Sequence, residues 1–183
     1  MRPPVPAVVE RRTSETTVRV EVVAGSGVAR AQTSVPFLDH MLCVLARYSG
    51  FDIEVTAGGD LRHHIIEDVA IALGTAFSRV VPSTAARFGD RTVPMDDALV
   101  QAVLDTGGRP YYRGPLPSSL YDHFLRSVCD AARFTLHVIV IRGTDRHHVV
   151  EASFKAFGLA LRQASEDALR VFSTKGDVTL EVQ

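Results

Sequence analysis

Gly59-Asp60-Leu61-Arg62-His63-His64-Ile65-Ile66-Glu67 returns, 84 residues later, as Gly143-Thr144-Asp145-Arg146-His147-His148-Val149-Val150-Glu151. The match continues through Ala72/Ala156, Gly74/Gly158 and Ala76/Ala160, giving eight identities within 18 positions. A solenoid-type array needs three or more copies, so two copies in register point to a duplicated half-domain. In both copies the His-His pair opens a helical pattern. That places His63 with Glu67, and His147 with Glu151, four residues apart on one helix face.

Working outward, the same order of elements is legible twice. Thr16–Val23 alternates apolar Val18, Val20 and Val22 with Thr17, Arg19 and Glu21, as a half-buried strand does. Gly25-Ser26-Gly27 reads as a turn, with 28–33 as the hairpin partner of that strand. Phe37, Leu38, Met41, Leu42 and Leu45 follow helical spacing, stopped by Gly50. Then come a strand over 51–57 and a helix over 63–81. The second half offers a strand over 98–105, a short strand over 109–113, a helix over 118–133, a strand over 134–142 and a helix over 147–164. The expectation is an α+β chain of two ββαβα repeats, about 1–81 and 91–172. A linker over 82–90 joins them, and a functional tail spans 173–183.

Composition narrows the function. The chain has 183 residues, 20 Lys+Arg against 21 Asp+Glu, and 46% hydrophobic residues. Near-neutral charge argues against a nucleic-acid partner. No apolar run reaches the roughly 18–20 residues of a membrane span, and no signal-peptide pattern follows Met1. Cys43 and Cys129 form no CxxC and read as small buried hydrophobes in a reducing, cytoplasmic setting.

The histidines carry the chemistry. Of seven His, His63-His64 and His147-His148 belong to the repeat, His40 sits on the helix before the first unit, and His137 on the strand before the second. His123 stands apart and reads as a surface or hydrogen-bonded residue. Adjacent imidazoles on a helix diverge by about 100°, so one ion cannot easily take both, whereas two ions shared between approaching units can. Six His with Glu67 and Glu151 divide into two sites of three His and one Glu. Such donors without thiolate suit Mn, Fe, Zn or Ni at catalytic sites with open positions. HExxH and HxxEH are both absent from the units, which disfavours a zinc peptidase.

With these units in view, the chain resembles the imidazoleglycerol-phosphate dehydratases of histidine biosynthesis. The resemblance runs nearly end to end. It includes Arg12-Thr13-xx-Glu15-Thr16, Phe37-Leu38-Asp39-His40-Met41-Leu42, Gly59-Asp60-Leu61, His63-His64-xx-Glu67-Asp68, Arg87-Phe88-Gly89 and Pro94-Met95-Asp96. Gly108-Arg109-Pro110, Thr135-Leu136-His137, His147-His148-xx-Glu151-xxx-Lys155-Ala156 and Ser173-Thr174-Lys175-Gly176 complete it. It implies a lyase converting D-erythro-imidazoleglycerol phosphate to imidazole acetol phosphate through a metal-stabilised imidazolate. It also implies half-domains that each carry a four-stranded sheet covered on one face by two helices, of the ribosomal S5 domain 2-like kind. Two Mn(II) ions per active site are implied, with Fe or Zn as alternatives, and so is a cytoplasmic 24-subunit homo-oligomer with sites between subunits.

By motif match the metal ligands are His40, His63, His64, Glu67, His137, His147, His148 and Glu151. Glu15 is the substrate-facing proton-transfer group, alongside His64, Glu67 and Glu151 at the catalytic centre. Arg87, Arg109, Lys155, Ser173, Thr174 and Lys175 are the phosphate-binding positions, and His40 also borders the substrate. The chain departs from the usual pattern at Arg62, Ile65, Val44, Tyr48, Phe172 and in its longer tail. Two other readings compete. One is a different dinuclear-metal enzyme acting on a phosphorylated metabolite, which would release phosphate. The other is a non-catalytic, metal-stabilised assembly subunit, which would need neither Glu15 nor the basic residues.

Overall fold

The computed structural model describes residues 5–169. Its first half runs β1 (Ala7–Arg12), β2 (Thr16–Ala24), β3 (Ala29–Gln32), α1 (Pro36–Ser49), β4 (Phe51–Gly59) and α2 (Arg62–Val80). The second half repeats that order as β5 (Phe88–Met95), β6 (Ala98–Asp105), β7 (Tyr111–Arg113), α3 (Ser119–Ala132), β8 (Thr135–Arg142) and α4 (Arg146–Ala164). Two sheets result, ordered β1-β2-β4-β3 and β5-β6-β8-β7.

The alternating strands take the sheet interiors. Val18, Val20 and Val22 of β2, and Val100, Ala102 and Leu104 of β6, point inward and are almost fully buried. In α1, Leu38, Met41, Leu42 and Leu45 form the buried stripe of an amphipathic helix. Gly50, at φ 78°, ends it in the left-handed conformation that glycine adopts without a Cβ penalty. The helices of the two halves pack across one another, α1 on α4 and α2 on α3. One hydrophobic core therefore runs from sheet to sheet through the helices.

Two expectations are corrected. The segment after Gly25-Ser26-Gly27 does not fold back on β2, because β2 is flanked by β1 and β4. It crosses instead to the far side of β4 and pairs there in parallel, the Asp52 carboxylate accepting from the loop nitrogens of Ser26 (3.0 Å) and Val28 (2.8 Å). The repeats also each begin one strand earlier, with β1 and β5, so the stretch 82–90 is not wholly a linker. Both added strands lie at sheet edges and bury little: in β5 only Gly89 and Val93 are inside. An edge strand also tolerates Pro94, which blurred the alternation that would have announced it.

Candidate metal and substrate site

Every helix start in this fold is pinned by a carboxylate, and the pinning decides where the histidines point. Asp39 accepts from the Thr33 backbone nitrogen and hydroxyl (3.0 and 2.6 Å) at the start of α1. Asp145 caps α4 by accepting from the His147 and His148 backbone nitrogens (2.7 and 3.2 Å). His40 then meets His147 and Glu151 across the α1–α4 contact. His40 Nε2 and His147 Nε2 lie 3.2 and 3.1 Å from one oxygen, Glu151 Oε2, with the two rings stacked at 6.4 Å. Lys155 Nζ holds the other oxygen, Oε1, at 2.9 Å. Burial alone would raise the Glu151 pKa, but the Lys155 and His40 contacts outweigh it and hold the carboxyl below its usual range. An open cleft of about 710 Å³ beside this cluster is lined by Phe37, Arg62, Tyr121, Arg146 and His147 among others.

A second cluster forms across α2 and α3. His63 Nε2 lies 3.5 Å from Glu67 Oε2, and His123 Nε2 lies 3.3 Å from Glu67 Oε1. The His63 and His123 rings stack at 5.5 Å and 17°. His123, set aside in the sequence as a surface or hydrogen-bonded residue, thus joins two of the expected ligands. A signal for it exists: Asp39-His40 is matched by Asp122-His123 at an offset of 83 rather than 84 residues. The extra residue in the second half is Ile141, which bulges out of β8 between the Leu99↔Arg142 and Val100↔Val140 pairs. Asp122 repeats the role of Asp39, accepting from the Tyr112 hydroxyl (2.7 Å) and the Leu116 backbone nitrogen (2.9 Å).

The adjacent histidines diverge as the helix geometry requires. His64 Nδ1 lies 2.8 Å from Asp60 Oδ1 and 3.5 Å from Glu15 Oε2. His148 Nδ1 lies 2.7 Å from Asp97 Oδ1. A carboxylate on Nδ1 leaves Nε2 as the ligating nitrogen, the usual arrangement behind a metal-bound imidazole. The same hydrogen bonds, donated by the rings and accepted by Asp60 and Asp97, raise the pKa of His64 and His148. Asp97 itself is held far below the ordinary carboxylate range by the Thr144 and Asp145 backbone nitrogens and by His148. The sequence assigned neither anchor a role, since an isolated Asp in a loop carries no periodic signal.

Glu15 owes its place to its neighbours. Thr13 Oγ1 accepts from the Glu15 and Thr16 backbone nitrogens (3.1 and 3.0 Å). Thr16 donates its hydroxyl to buried Asp68, which is also paired with Arg11 at 2.8 Å. Asp68 follows Glu67 on α2, so this ties the turn carrying Glu15 to the helix carrying His63 and His64.

Three groups of donors can each face a cation, with all their ligand atoms within 4.8 Å: His40/His147/Glu151, His63/Glu67/His123 and Glu15/Asp60/His64. Imidazole nitrogens converging with a carboxylate oxygen are the donors that Mn(II), Fe or Zn takes. The residues therefore fit the implied metal, although no described cluster assembles three His and one Glu. His137 alternates with buried Leu136 and Val138 on β8, which turns it to the sheet face away from the helices, against Tyr111.

The basic positions divide. Arg87 is bound in two-pronged fashion to Asp105 (2.7 and 3.0 Å) in a separate cleft of about 440 Å³ that it lines with Gly107, Gly108 and Arg133. Arg109 is exposed. Lys155 is engaged with Glu151 as above. Ser173, Thr174 and Lys175 lie outside the described residues. Of the cysteines, Cys129 is buried but Cys43 is exposed, contrary to expectation.

Known proteins of one family match the chain in sequence and in fold. The family model for imidazoleglycerol-phosphate dehydratase matches residues 33–161. The imidazoleglycerol-phosphate dehydratase of Parafrankia sp. is 44% identical over 187 residues, covering 92% of this chain and 96% of that one. The enzyme of that name from Dictyoglomus thermophilum is 40% identical, covering 94% and 98%. Among solved structures, IGPD from Pyrococcus furiosus superimposes with a TM-score of 0.84 at 38% identity, covering 93% of this chain and 100% of that one. The Staphylococcus aureus imidazoleglycerol-phosphate dehydratase gives 0.82 at 31%, covering 90% and 100%. This chain belongs to the imidazoleglycerol-phosphate dehydratase family.

Proposed function

We propose that the chain is a hydro-lyase of histidine biosynthesis that dehydrates D-erythro-imidazoleglycerol phosphate to imidazole acetol phosphate, using two Mn(II) ions per active site. The observation that carries this is the pair of His/Glu clusters, His40/His147/Glu151 and His63/Glu67/His123, built by duplicated elements in a chain of this family. When bound, the ions supply Lewis-acid stabilisation to the imidazole ring of the substrate. The chain's own residues do the rest. His40, His63, His64, His137, His147, His148, Glu67 and Glu151 would hold the ions. Asp60 and Asp97 keep His64 and His148 with Nε2 outward. Glu15, anchored through Thr16 to Asp68, transfers the proton at its carboxylate beside His64. Arg87 and Arg109, with Lys155, Ser173, Thr174 and Lys175, bind the phosphate dianion.

Self-association belongs to this reading. Each described cluster holds fewer donors than an octahedral ion takes, while His137 and Arg87 lie away from both. Val103, Tyr111, Ile139 and Ile141 make the outer face of the second sheet apolar and exposed around His137. That face is suited to receive a partner copy, which supports the expected large homo-oligomer with sites completed between subunits. No helix among the described residues is long and apolar enough to cross a membrane. Two free cysteines support a cytoplasmic location.

The test is dehydration of imidazoleglycerol phosphate by metal-stripped protein reconstituted with Mn(II), following the enolisable ketone. Turnover is expected to require Mn(II) and to collapse in Glu15→Gln with both ions still bound. Release of inorganic phosphate without ketone would overturn the reading in favour of a phosphoester hydrolase.

A further inference from the structure

The arginine of the repeated Arg-His-His unit has no part in the metal clusters. Arg62 and Arg146 occupy equivalent places in the two halves, each opening its helix, and both line the open cleft of about 710 Å³ beside His147. All four helices begin at this cleft: Val35 and Phe37 belong to the start of α1, Arg62 to α2, Ser118 and Tyr121 to α3, and Arg146 to α4. Three of these starts, at Val35, Leu61 and Ser118, have no side-chain cap, so their N–H groups and dipoles favour negative charge nearby. The Ser118 hydroxyl instead accepts from the Arg146 guanidinium at 3.2 Å, and neither arginine has a carboxylate partner among the described residues. The acids at these starts are engaged elsewhere: Asp39 with Thr33, Asp122 with Tyr112 and Leu116, and Asp145 with the α4 backbone. Tyr121 is an independent pointer. It is only 6% exposed, yet it lines the cleft, and its hydroxyl has no hydrogen-bond partner among the described residues. Burial raises its pKa and the Arg62 charge opposes that rise, so the guanidinium stands within electrostatic reach of the hydroxyl. A buried donor left unpaired, beside two cations without counter-ions, is placed for a ligand oxygen.

We propose that this cleft is a second anion site, apart from the metal centre, for a small organic phosphate with a flat apolar body. Arg62 and Arg146 take the dianion, each guanidinium presenting parallel N–H donors, and Tyr121 donates its hydroxyl. Phe37, Leu120 and Val150 supply the apolar wall against which the body lies. The volume suits an organic ligand, whose pockets span about 300–1,000 Å³, rather than an inorganic ion. The site uses none of the residues expected to bind the phosphate of the substrate, Arg87 lying in its separate cleft.

The test is protection of arginines against phenylglyoxal. The full chain, with Mn(II) and separately in chelator, is treated with the reagent at rising phenyl phosphate, and each arginine is followed by peptide mass spectrometry. Arg62 and Arg146 should be protected together, at one half-saturating concentration, with or without Mn(II). Inorganic phosphate, lacking the apolar body, should need about 10-fold more. Arg62→Gln should weaken protection of Arg146 about 10–100-fold, and Tyr121→Phe about 2–10-fold, as losses of a charged and a neutral hydrogen bond. Unfolding temperature checks that both variants fold, and exposed Arg62 carries the comparison if Tyr121→Phe does not. Absence of protection overturns the proposal, and so do arginines that fail to react in the free chain, because the cleft is then already covered. Protection that needs Mn(II), or that is lost in Arg109→Gln, also overturns it, by placing the phosphate at the metal or substrate site. Equal potency of inorganic phosphate overturns the organic ligand and leaves an adventitious ion only.

Discussion

Lys155 offers the sharpest test of how the site is built, because two roles for it lead to different measurements. In the structure its ammonium group lies 2.9 Å from Glu151 Oε1, with side chains only 18% and 9% exposed. Lys155→Met keeps an apolar stem and removes the charge, which stands 5.8 Å from the Tyr48 ring centroid, leaving the buried carboxylate with two imidazoles. Breaking a buried pair from one side costs about 3–5 kcal/mol; residual exposure of Lys155 puts this case near the bottom of that range, about 3 kcal/mol. For a chain of this size each kcal/mol moves the unfolding midpoint by about 2–4 °C, so the metal-free variant should melt about 6–12 °C lower. Saturating Mn(II) supplies another cation to Glu151, and the gap should then shrink by half or more. The assay is thermal unfolding with chelator and with Mn(II), at fixed protein concentration, with KM measured on the same samples. A midpoint in chelator within about 1 °C of wild type, alongside a raised KM, would refute the reasoning. It would show that Lys155 is available to the phosphate alone.

Four further outcomes follow from particular contacts. Asp97→Asn should release His148 and lower Mn(II) affinity about 10–100-fold without unfolding the chain, as read by metal titration. Gly89→Ala should destabilise by about 1–3 kcal/mol, because the new Cβ would sit 2.0 Å from the Ala160 carbonyl oxygen, a backbone atom that cannot swing aside; denaturant unfolding measures this. Ile139→Glu, on the exposed face of β8, should shift the assembly towards small species in light scattering while leaving far-UV dichroism intact. Asp52 is held below its ordinary pKa first by the Val28 backbone hydrogen bond, with Ser26 and Gly27 adding to it. The stability this brings is complete above the unfolded value near 4 and is lost as pH falls through the lower folded value. Asp52→Asn should therefore be less stable than wild type at pH 7, with the gap narrowing as pH falls below the unfolded value.

The sequence by itself determined the duplication, the helices and the inner strands, because periodicity and repeated spacing are local properties. Phe37–Leu45 and both His-His-xx-Glu units could be placed on helices from their neighbours alone, and with them most of the candidate ligands. The edge strands β1 and β5 escaped, since a strand with one neighbour and little buried surface has weak alternation. The path of β3 also escaped: a Gly-rich turn permits a hairpin, but only the occupancy of both edges of β2 forbids one. Tertiary structure alone decided the groupings. His40 meets Glu151 from 111 residues away, and His123 meets Glu67, because α1 packs on α4 and α2 on α3 across the two halves. Asp60 and Asp97 became anchors, and Glu15 came to His64, through hydrogen bonds that fix loops onto helix starts. Packing between halves is a long-range property, and no spacing within either repeat encodes it.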